Sequence, residues 1–233
     1  MSLGFGLGLQ YSKLSGGGFG NTDAFTIEVK TDNAGTSNDN QFQFTGAEGD
    51  YDVVAKQNGV VIETFNDLSD EETITFANGA GTYVLEINPK ATNGFNRIAF
   101  ANSGDNDKIT DLKQYGTIVW STFNEAFWSC GNMIHSATDS PNLSICRDLY
   151  RMFRQTAANP NVENWDVSGI TRMDDMFTFN NAFSNENLTK AYIGWAQLTL
   201  QQNVTFGAGN AKYESNSNRC SKFKYLYRFI QNV

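Results

Sequence analysis

Hydrophobic and polar residues alternate along the first part of the chain. Phe25, Ile27 and Val29 are separated by polar side chains, and similar short apolar runs follow up to residue 100. Alternation with a period of two is typical of half-buried strands. The pattern predicts about seven short strands in a small β-sandwich, and Asn58-Gly59 predicts a two-residue hairpin turn. The later runs are Phe42–Phe44, Val53–Val54, Val60–Ile62, Thr73–Phe76, Tyr83–Ile87 and Ile98–Phe100.

A second pattern follows, in which apolar residues recur at fixed distances from Phe127, Phe153 and Phe177, which are 26 and 24 residues apart. Offsets of seven, four and one residues before each Phe fit one face of a helix. A period of about 20–29 residues is typical of a solenoid repeat, which buries its apolar side against the next repeat. The predicted repeat core is Trp120, Phe123, Phe127, Cys146, Leu149, Met152, Phe153, Ile170, Met173, Met176 and Phe177.

The third repeat carries the most specific motif of the chain. Residues 164–177 read NWDVSGITRMDDMF, which resembles the W-D-V-S-x-V-T-x-M-x-x-M-F unit of BspA-like leucine-rich repeat surface proteins. Residues 143–153 match more loosely, the first repeat keeps only the apolar spacing, and residues 195–213 resemble the segment that closes such arrays. The resemblance covers roughly residues 110–213 and implies a leucine-rich-repeat solenoid. It also implies display on a cell surface, adhesion, or a place among phage virion proteins.

The β region carries a shorter resemblance. Residues 79–84, GAGTYV, are similar to the G-T-Y strand of PKD-like and other immunoglobulin-like modules. The W-G-D-G turn of PKD modules is missing, so the subtype of the module stays open. The expected fold class is mainly β or α+β, with an N-terminal β-sandwich followed by a short leucine-rich-repeat solenoid.

The N-terminus predicts an anchoring arm. Leu3, Phe5, Leu7 and Leu9 alternate with glycine, and the linker-like segment 15–20 follows. The segment lacks the basic start, continuous apolar run and cleavage site of a secretory signal peptide. We expect it to dock on another subunit as an extended strand, and a disordered terminus is the alternative. The predicted domains are an arm at 1–20, a sandwich at 21–100, repeats at 101–186 and a cap at 187–233.

Charge and composition restrict the partners. The net charge of −8 argues against binding to nucleic-acid phosphates, which requires clustered lysines and arginines. The one basic cluster, Arg219, Lys222, Lys224 and Arg228, is interpreted as a solvated tail face. No stretch approaches the roughly 18 apolar residues that span a bilayer. The chain is therefore expected to bind neither nucleic acid nor, through a spanning segment, a membrane.

The residues offer no catalytic or metal motif. His135 is the only histidine, it is not part of an H-E-x-x-H pattern, and we interpret it as a turn residue. The chain contains neither a G-x-S-x-G motif nor a P-loop. Adjacent carboxylates such as Asp174 and Asp175 would diverge on a helix and could not act as a pair. We therefore predict no catalytic residues, no cofactor and no enzyme activity.

The cysteines and acidic residues show no arrangement typical of metal ligands. Cys130, Cys146 and Cys220 show no C-x-x-C spacing, so a zinc site is not expected, and Cys146 is interpreted as a small buried hydrophobe. Asp105 and Asp107 offer oxygen atoms to Ca²⁺, but an ordinary Asx turn is the favoured interpretation. We therefore predict no metal site.

These observations and the resemblance together favour a non-enzymatic structural protein of a phage particle, located on the virion surface. It would be a spike, fibre, decoration or tail component that takes part in host attachment. Its expected partners are other virion proteins, bound through the arm, and a host-surface glycan or protein, with the protein present as a homo-oligomer or in arrayed copies. The alternatives are a bacterial cell-surface adhesin of the BspA-like type and, third, an enzyme that degrades surface polysaccharide.

Overall fold

The structure is a computed structural model that describes residues 21–213. The predicted arm residues Leu3, Phe5, Leu7 and Leu9, together with Cys220 and the basic C-terminal cluster, lie outside the described residues. Within residues 21–213 the protein is mainly β, as the alternating pattern predicts.

The described strands form two sheets. Six strands are hydrogen-bonded in the order β4-β3-β6-β1-β7-β8, and β2 pairs with β5 in the second sheet. All pairs are antiparallel except β7 with β8. The strands are β1 Phe25–Lys30, β2 Gln41–Gln43, β3 Asp50–Gln57, β4 Val60–Ser69, β5 Thr73–Thr75, β6 Thr82–Pro89, β7 Ile109–Gln114 and β8 Ile134–His135.

The predicted hairpin joins β3 to β4. Asn58 and Gly59 have φ values of 50° and 78°, and they connect the paired residues Gln57 and Val60. Two consecutive left-handed residues form the mirror-image turn that suits the twist of a hairpin, and Asn-Gly is the sequence that adopts it most readily. The Asn58-Gly59 prediction is confirmed.

Aromatic rings join the two sheets. The Phe42 ring of β2 lies 5.1 Å from that of Phe44, which in turn lies 5.2 Å from the ring of Tyr51 in β3. Phe42 also approaches Phe100, at 6.3 Å between ring centres. The two sheets therefore bury a common core. Strands β7 and β8 complete the six-stranded sheet although both follow residue 100 in sequence.

The helical interpretation of the repeats is wrong. The one α-helix among the described residues is α1, Asn185–Trp195, and the repeats consist of overlapping turns. In each repeat the residues two before and two after the Phe have positive φ, as in Glu125 and Ser129, at 57° and 67°. A left-handed residue ends a right-handed turn, so successive short turns, and not a helix, direct the apolar residues inward. Arg151, Gln155, Asp175 and Phe179 are the equivalent residues of the next two repeats.

Asp166 and Ser168 are residue types that often cap helices, and a helical repeat would use them in that role, but no helix begins there. The Asp166 Oδ1 atom accepts hydrogen bonds from the backbone N–H and the hydroxyl of Ser168, at 3.1 and 2.6 Å. This local turn precedes the apolar positions of the third repeat.

Successive repeats are stacked by a ladder of backbone hydrogen bonds. In the first repeat the N–H groups of residues 123, 125, 127 and 129 donate to the carbonyls of residues 148, 150, 152 and 154. Residues 149, 151, 153 and 155 donate in the same way to residues 172, 174, 176 and 178. These eight donor–acceptor distances lie between 2.8 and 3.3 Å. The rings of Phe127, Phe153 and Phe177 stack along the ladder, 5.8 and 5.4 Å apart.

The structure buries all eleven residues of the predicted repeat core, and the most exposed of them, Met173, shows only 5 % of its surface. This core is continuous with that of the two sheets. At the end of the repeats nearest the two sheets, Ile98–Phe100 does not form the strand that the sequence predicts. The Phe100 N–H donates to the Ala126 carbonyl at 3.0 Å, so the segment takes the place of a preceding repeat.

The third repeat is covered by the segment that follows α1. The Phe177 N–H donates to the Gly207 carbonyl at 2.7 Å, and the Gly207 N–H donates to the Met173 carbonyl at 3.1 Å. A Cβ at residue 207 would lie 2.4 Å from the backbone nitrogen of Asp175, so this close approach requires glycine. Phe206 packs beside Phe177 and Trp195. The apolar end of the array is thereby shielded from water.

Candidate binding face on the repeats

Partly exposed aromatic and arginine side chains lie between the buried positions of the repeats. We call this set the repeat face. Because the ladder fixes the register, residues 22 to 26 positions apart in the sequence are brought side by side. The repeat face consists of Trp128, Tyr150, Arg151, Arg154, Arg172 and Phe179.

Arginine side chains bridge the rings of the repeat face. The guanidinium carbon of Arg151 lies 4.6 Å from the Trp128 ring centre and 4.4 Å from that of Tyr150. Arg172 lies 3.5 Å from the Tyr150 ring, and Arg154 lies 4.7 Å from the Phe179 ring. Contacts of this kind stabilise a partly exposed site by about 0.5–1 kcal/mol each. They also hold the rings in defined orientations.

Carboxylates balance the charge of these arginines. Arg151 pairs with Glu125 at 3.2 Å, and Asp175 pairs with both Arg151 and Arg154, at 3.4 and 3.1 Å. Arg172 pairs with Asp174 at 3.1 Å and approaches Asp148 at 3.7 Å. Three guanidinium groups therefore face four carboxylates, and the repeat face presents no excess of positive charge. This balance does not favour a strongly anionic ligand.

A shallow depression of about 650 Å³ adjoins the repeat face beside Phe179. Phe179 is 64 % exposed. The other residues that line the depression are three small residues, two amides and one threonine. A ring beside a few polar groups suits a small polar ligand. The remaining lining residues are Gly131, Gln155, Thr156, Ala157, Asn181 and Ala182.

A buried amide fixes the turn that carries Phe179. The Nδ2 group of Asn180 donates to the Thr156 hydroxyl at 3.0 Å and to the Ala158 carbonyl at 2.8 Å. Its Oδ1 atom accepts from the N–H groups of Ala182 and Phe183, at 2.8 and 3.0 Å. Because a buried polar group left without partners is costly, this network holds the depression in one shape.

The Asx turn favoured for Asp105 does not form, because its carboxylate makes hydrogen bonds to a segment distant in sequence. Its buried carboxylate accepts hydrogen bonds from the backbone N–H groups of Thr36, Ser37 and Gln43, at 2.9, 3.0 and 2.7 Å. The fully buried Lys108 Nζ atom lies 3.7 Å from it. Asp105 therefore holds the segment from Thr36 to Gln43 against the turn that precedes β7. Residues 21–213 contain no group of three or more His, Cys, Asp or Glu arranged to hold a metal ion.

His135 lies in strand β8, so its interpretation as a turn residue is wrong. Its Nε2 atom is 3.1 Å from the Tyr115 hydroxyl, and its ring packs on that of Phe153. Burial lowers the pKa of His135 to about 4 and raises that of Tyr115 well above its ordinary value. Burial likewise raises the pKa values of the Cys130 and Cys146 thiols. At neutral pH these groups are uncharged members of the core.

The low pKa of His135 predicts a loss of stability in acid. The unfolded histidine takes up a proton near pH 6.5, but the folded one does so only near pH 4, although Asp111 and Asp139 favour its charged form. Stability should therefore be complete above pH 6.5 and fall by about 2–3 kcal/mol towards pH 4. The measurement is the free energy of unfolding in urea between pH 4.5 and 7.5.

His135→Gln is the matched variant, because its amide keeps a partner for Tyr115 without the titration. The parent should lose more stability than this variant between pH 7.5 and 4.5. Equal losses in the two proteins would show that His135 does not contribute.

A comparison with known protein families gives a match over the repeat region. Residues 106–206 match the model of a family described as "Mycoplasma protein of unknown function, DUF285". That family is associated with BspA-like surface repeat proteins. No curated protein and no solved structure matches the chain. No helix among residues 21–213 has the length and apolar character required to cross a membrane.

Proposed function

We propose that the protein is a non-enzymatic, surface-displayed attachment protein, and that the setting is a phage particle. The observation that supports this most is the repeat face, where aromatic rings held by arginines lie beside a preformed depression. Rigid, partly exposed aromatic and arginine side chains are characteristic of binding surfaces. The stacked repeats would serve as a leucine-rich-repeat solenoid that carries this face. The sandwich, an immunoglobulin-like or PKD-like module, would link it to the arm.

The chemistry of the described residues supports binding over catalysis. Glycan hydrolysis requires two carboxyl groups on either side of a cleft, but Asp174 and Asp175 are each paired with arginines. His135 is largely buried against Tyr115 and Phe153. A polysaccharide-degrading enzyme therefore remains the third candidate.

A bacterial cell-surface adhesin is the second candidate. The family match over residues 106–206 favours it, because the matching family is described from Mycoplasma and is associated with BspA-like surface repeats. In both candidates the repeat face would bind the host surface. They differ in whether the protein is displayed on a virion or on a cell.

Arrayed copies follow from the small size of the repeat face. Three repeats offer a limited contact area, so one copy should bind weakly, whereas linked copies gain about 10²–10⁴-fold in avidity. We propose that the arm, residues 1–20, anchors the copies to other virion proteins or to one another. Its apolar residues Leu3, Phe5, Leu7 and Leu9 would supply that contact.

The test compares the full chain with a chain that lacks residues 1–20. The truncated protein should stay folded, fail to enter the particle or oligomer, and bind host cells at least about a hundredfold more weakly than the assembled form. Flow cytometry of labelled protein on host cells, with electron microscopy of the assembly, measures both effects. Equal, tight cell binding by both forms would contradict the role of arrayed copies. Absence of binding by either would contradict attachment and leave a purely structural role.

A further inference from the structure

We propose that the repeat face binds a neutral carbohydrate, with one sugar ring stacked on Phe179. This inference rests on the proposed attachment function and names the ligand class of the same face. It starts from Phe179, which is 64 % exposed and has a φ of 59°. The equivalent residues of the two preceding repeats are Ser129 and Gln155, with φ values of 67° and 56°.

The left-handed backbone of Phe179 has a free-energy cost that burial of its side chain does not offset. A left-handed backbone costs a residue with a Cβ roughly 1–2 kcal/mol, and asparagine or glycine adopts it more easily than a bulky side chain. An exposed ring regains little of this through the hydrophobic effect. A backbone outlier that presents an aromatic ring to solvent points to a role for the ring itself.

The ring of Phe179 is held ready for a ligand. The guanidinium group of Arg154 lies 4.7 Å from its centre, and Arg154 is itself fixed by Asp175 at 3.1 Å and by the Trp128 ring at 5.7 Å. A ring held in this way loses little conformational freedom when a ligand stacks on it. The electron-rich face of an aromatic ring attracts the weakly positive C–H groups on one side of a pyranose.

Amide groups beside the ring match the hydroxyl groups of a sugar. Gln155 accepts a hydrogen bond from the Trp128 indole at 2.9 Å, and Asn181 accepts one from the Asn210 amide at 2.9 Å. Each amide therefore uses its oxygen within the protein. Neither NH₂ group has a hydrogen-bond partner within residues 21–213, so both remain available as donors to the hydroxyl oxygens of a sugar.

The charges and shape of the site favour a neutral carbohydrate over an acidic carbohydrate or a protein. Each arginine of the repeat face already pairs with a carboxylate, so an acidic sugar would have to displace one of them. A protein partner would need roughly 800 Å² on each side and several large anchors. The depression instead combines one aromatic ring with the small residues Gly131, Ala157 and Ala182, which suits one or two sugar rings.

The test uses a panel of immobilised oligosaccharides and the full chain. The panel contains neutral hexose and N-acetylhexosamine glycans and their sialylated, uronate and sulfated counterparts. The parent should bind a subset of the neutral glycans. Phe179→Asn should weaken that binding at least about tenfold, and asparagine tolerates the left-handed backbone, so the fold should be kept. Phe179→Trp should retain binding, and Ile145→Asn, at another exposed apolar residue, should bind as the parent does.

Binding to host cells is measured in parallel, because it distinguishes failure of the carbohydrate assignment from failure of the proposed attachment function. Binding of acidic glycans alone, or neutral-glycan binding that Phe179→Asn leaves unchanged, would overturn the stacking proposal. Cell binding that is lost in Phe179→Asn, without binding of any glycan, would identify a protein ligand and overturn the carbohydrate assignment while leaving attachment intact. If the assembled parent does not bind host cells at all, the proposed function itself fails.

Discussion

Phe177→Ala should lower the free energy of unfolding by about 3–5 kcal/mol, as expected for an aromatic ring removed from a packed core. The Phe177 side chain is fully buried. Its ring stacks between those of Phe153 and Phe183, at 5.4 and 3.8 Å, and meets Phe206 at 6.0 Å. Its removal would leave a cavity where the third repeat meets both the second repeat and the closing segment. Urea denaturation of the full chain measures the change.

Phe179→Ala is the matched control for this variant, because it removes the same side chain two residues away. Phe179 is exposed, so its loss should change stability by no more than about 1 kcal/mol, the size of the Arg154 contact that it removes. A Phe177→Ala variant within half a kcal/mol of the parent, or equal effects at the two positions, would contradict the stacked-repeat core.

Asp105→Asn should be about as destabilising, by roughly 3–5 kcal/mol, because it leaves a buried ammonium group without its counter-charge. The Lys108 Nζ atom is fully buried and donates to the carbonyls of Ser37, Asn38 and Gln41, at 3.0, 2.9 and 3.1 Å. Asp105 is its charge partner and also accepts backbone N–H groups from Thr36 and Ser37, in the loop between β1 and β2, and from Gln43 in β2. The measurement is again the urea midpoint and slope.

A double-mutant cycle isolates the ion pair. Lys108→Met alone should also destabilise, whereas Asp105→Asn combined with Lys108→Met should cost at least about 1 kcal/mol less than the sum of the two single changes. Strict additivity would mean that the two groups act independently and that the loop is held by its hydrogen bonds to Asp105 alone. The exposed pair Lys30–Asp32 provides a comparison, since surface pairs contribute little.

The sequence predicted the β region well because its signals are local. Alternation identified β1, β3 and β6, and the conformational preference of Asn58-Gly59 identified the hairpin. The order of strands was not accessible in this way. Strand β7 pairs with β1 although about 80 residues separate them, and nothing in the alternation of either strand encodes that choice of partner.

The residues that the period assigned to the repeat core are buried, but the helical local structure predicted for them is wrong. Spacings of seven, four and one residues arise equally from a helix and from overlapping turns, so periodicity cannot distinguish them. Knowledge of which residues have positive φ would distinguish a helix from overlapping turns. These residues include Glu125, Arg151 and Phe179, whose side-chain types do not indicate a left-handed backbone. Only the interrepeat hydrogen bonds, which depend on the register of distant segments, determine these conformations.

The repeat face was not identified from the sequence. Its partners lie far apart in sequence: Arg154 contacts Trp128 on one side and Phe179 on the other. Aligning the repeats on their phenylalanines does place residues 128 and 154 at the same position. That alignment therefore held a usable signal, whereas the exposure of Phe179 and the role of Asn180 required the folded structure.

Photo-cross-linking on host cells shows directly whether the repeat face contacts the host. The photoreactive analogue p-benzoylphenylalanine would replace Phe179 in one assembled protein and Val60, an exposed residue at the β3–β4 hairpin, in another. Position 179 should capture a host-surface component covalently, and position 60 should not. Capture from position 60 but not from position 179 would contradict contact between the repeat face and the host.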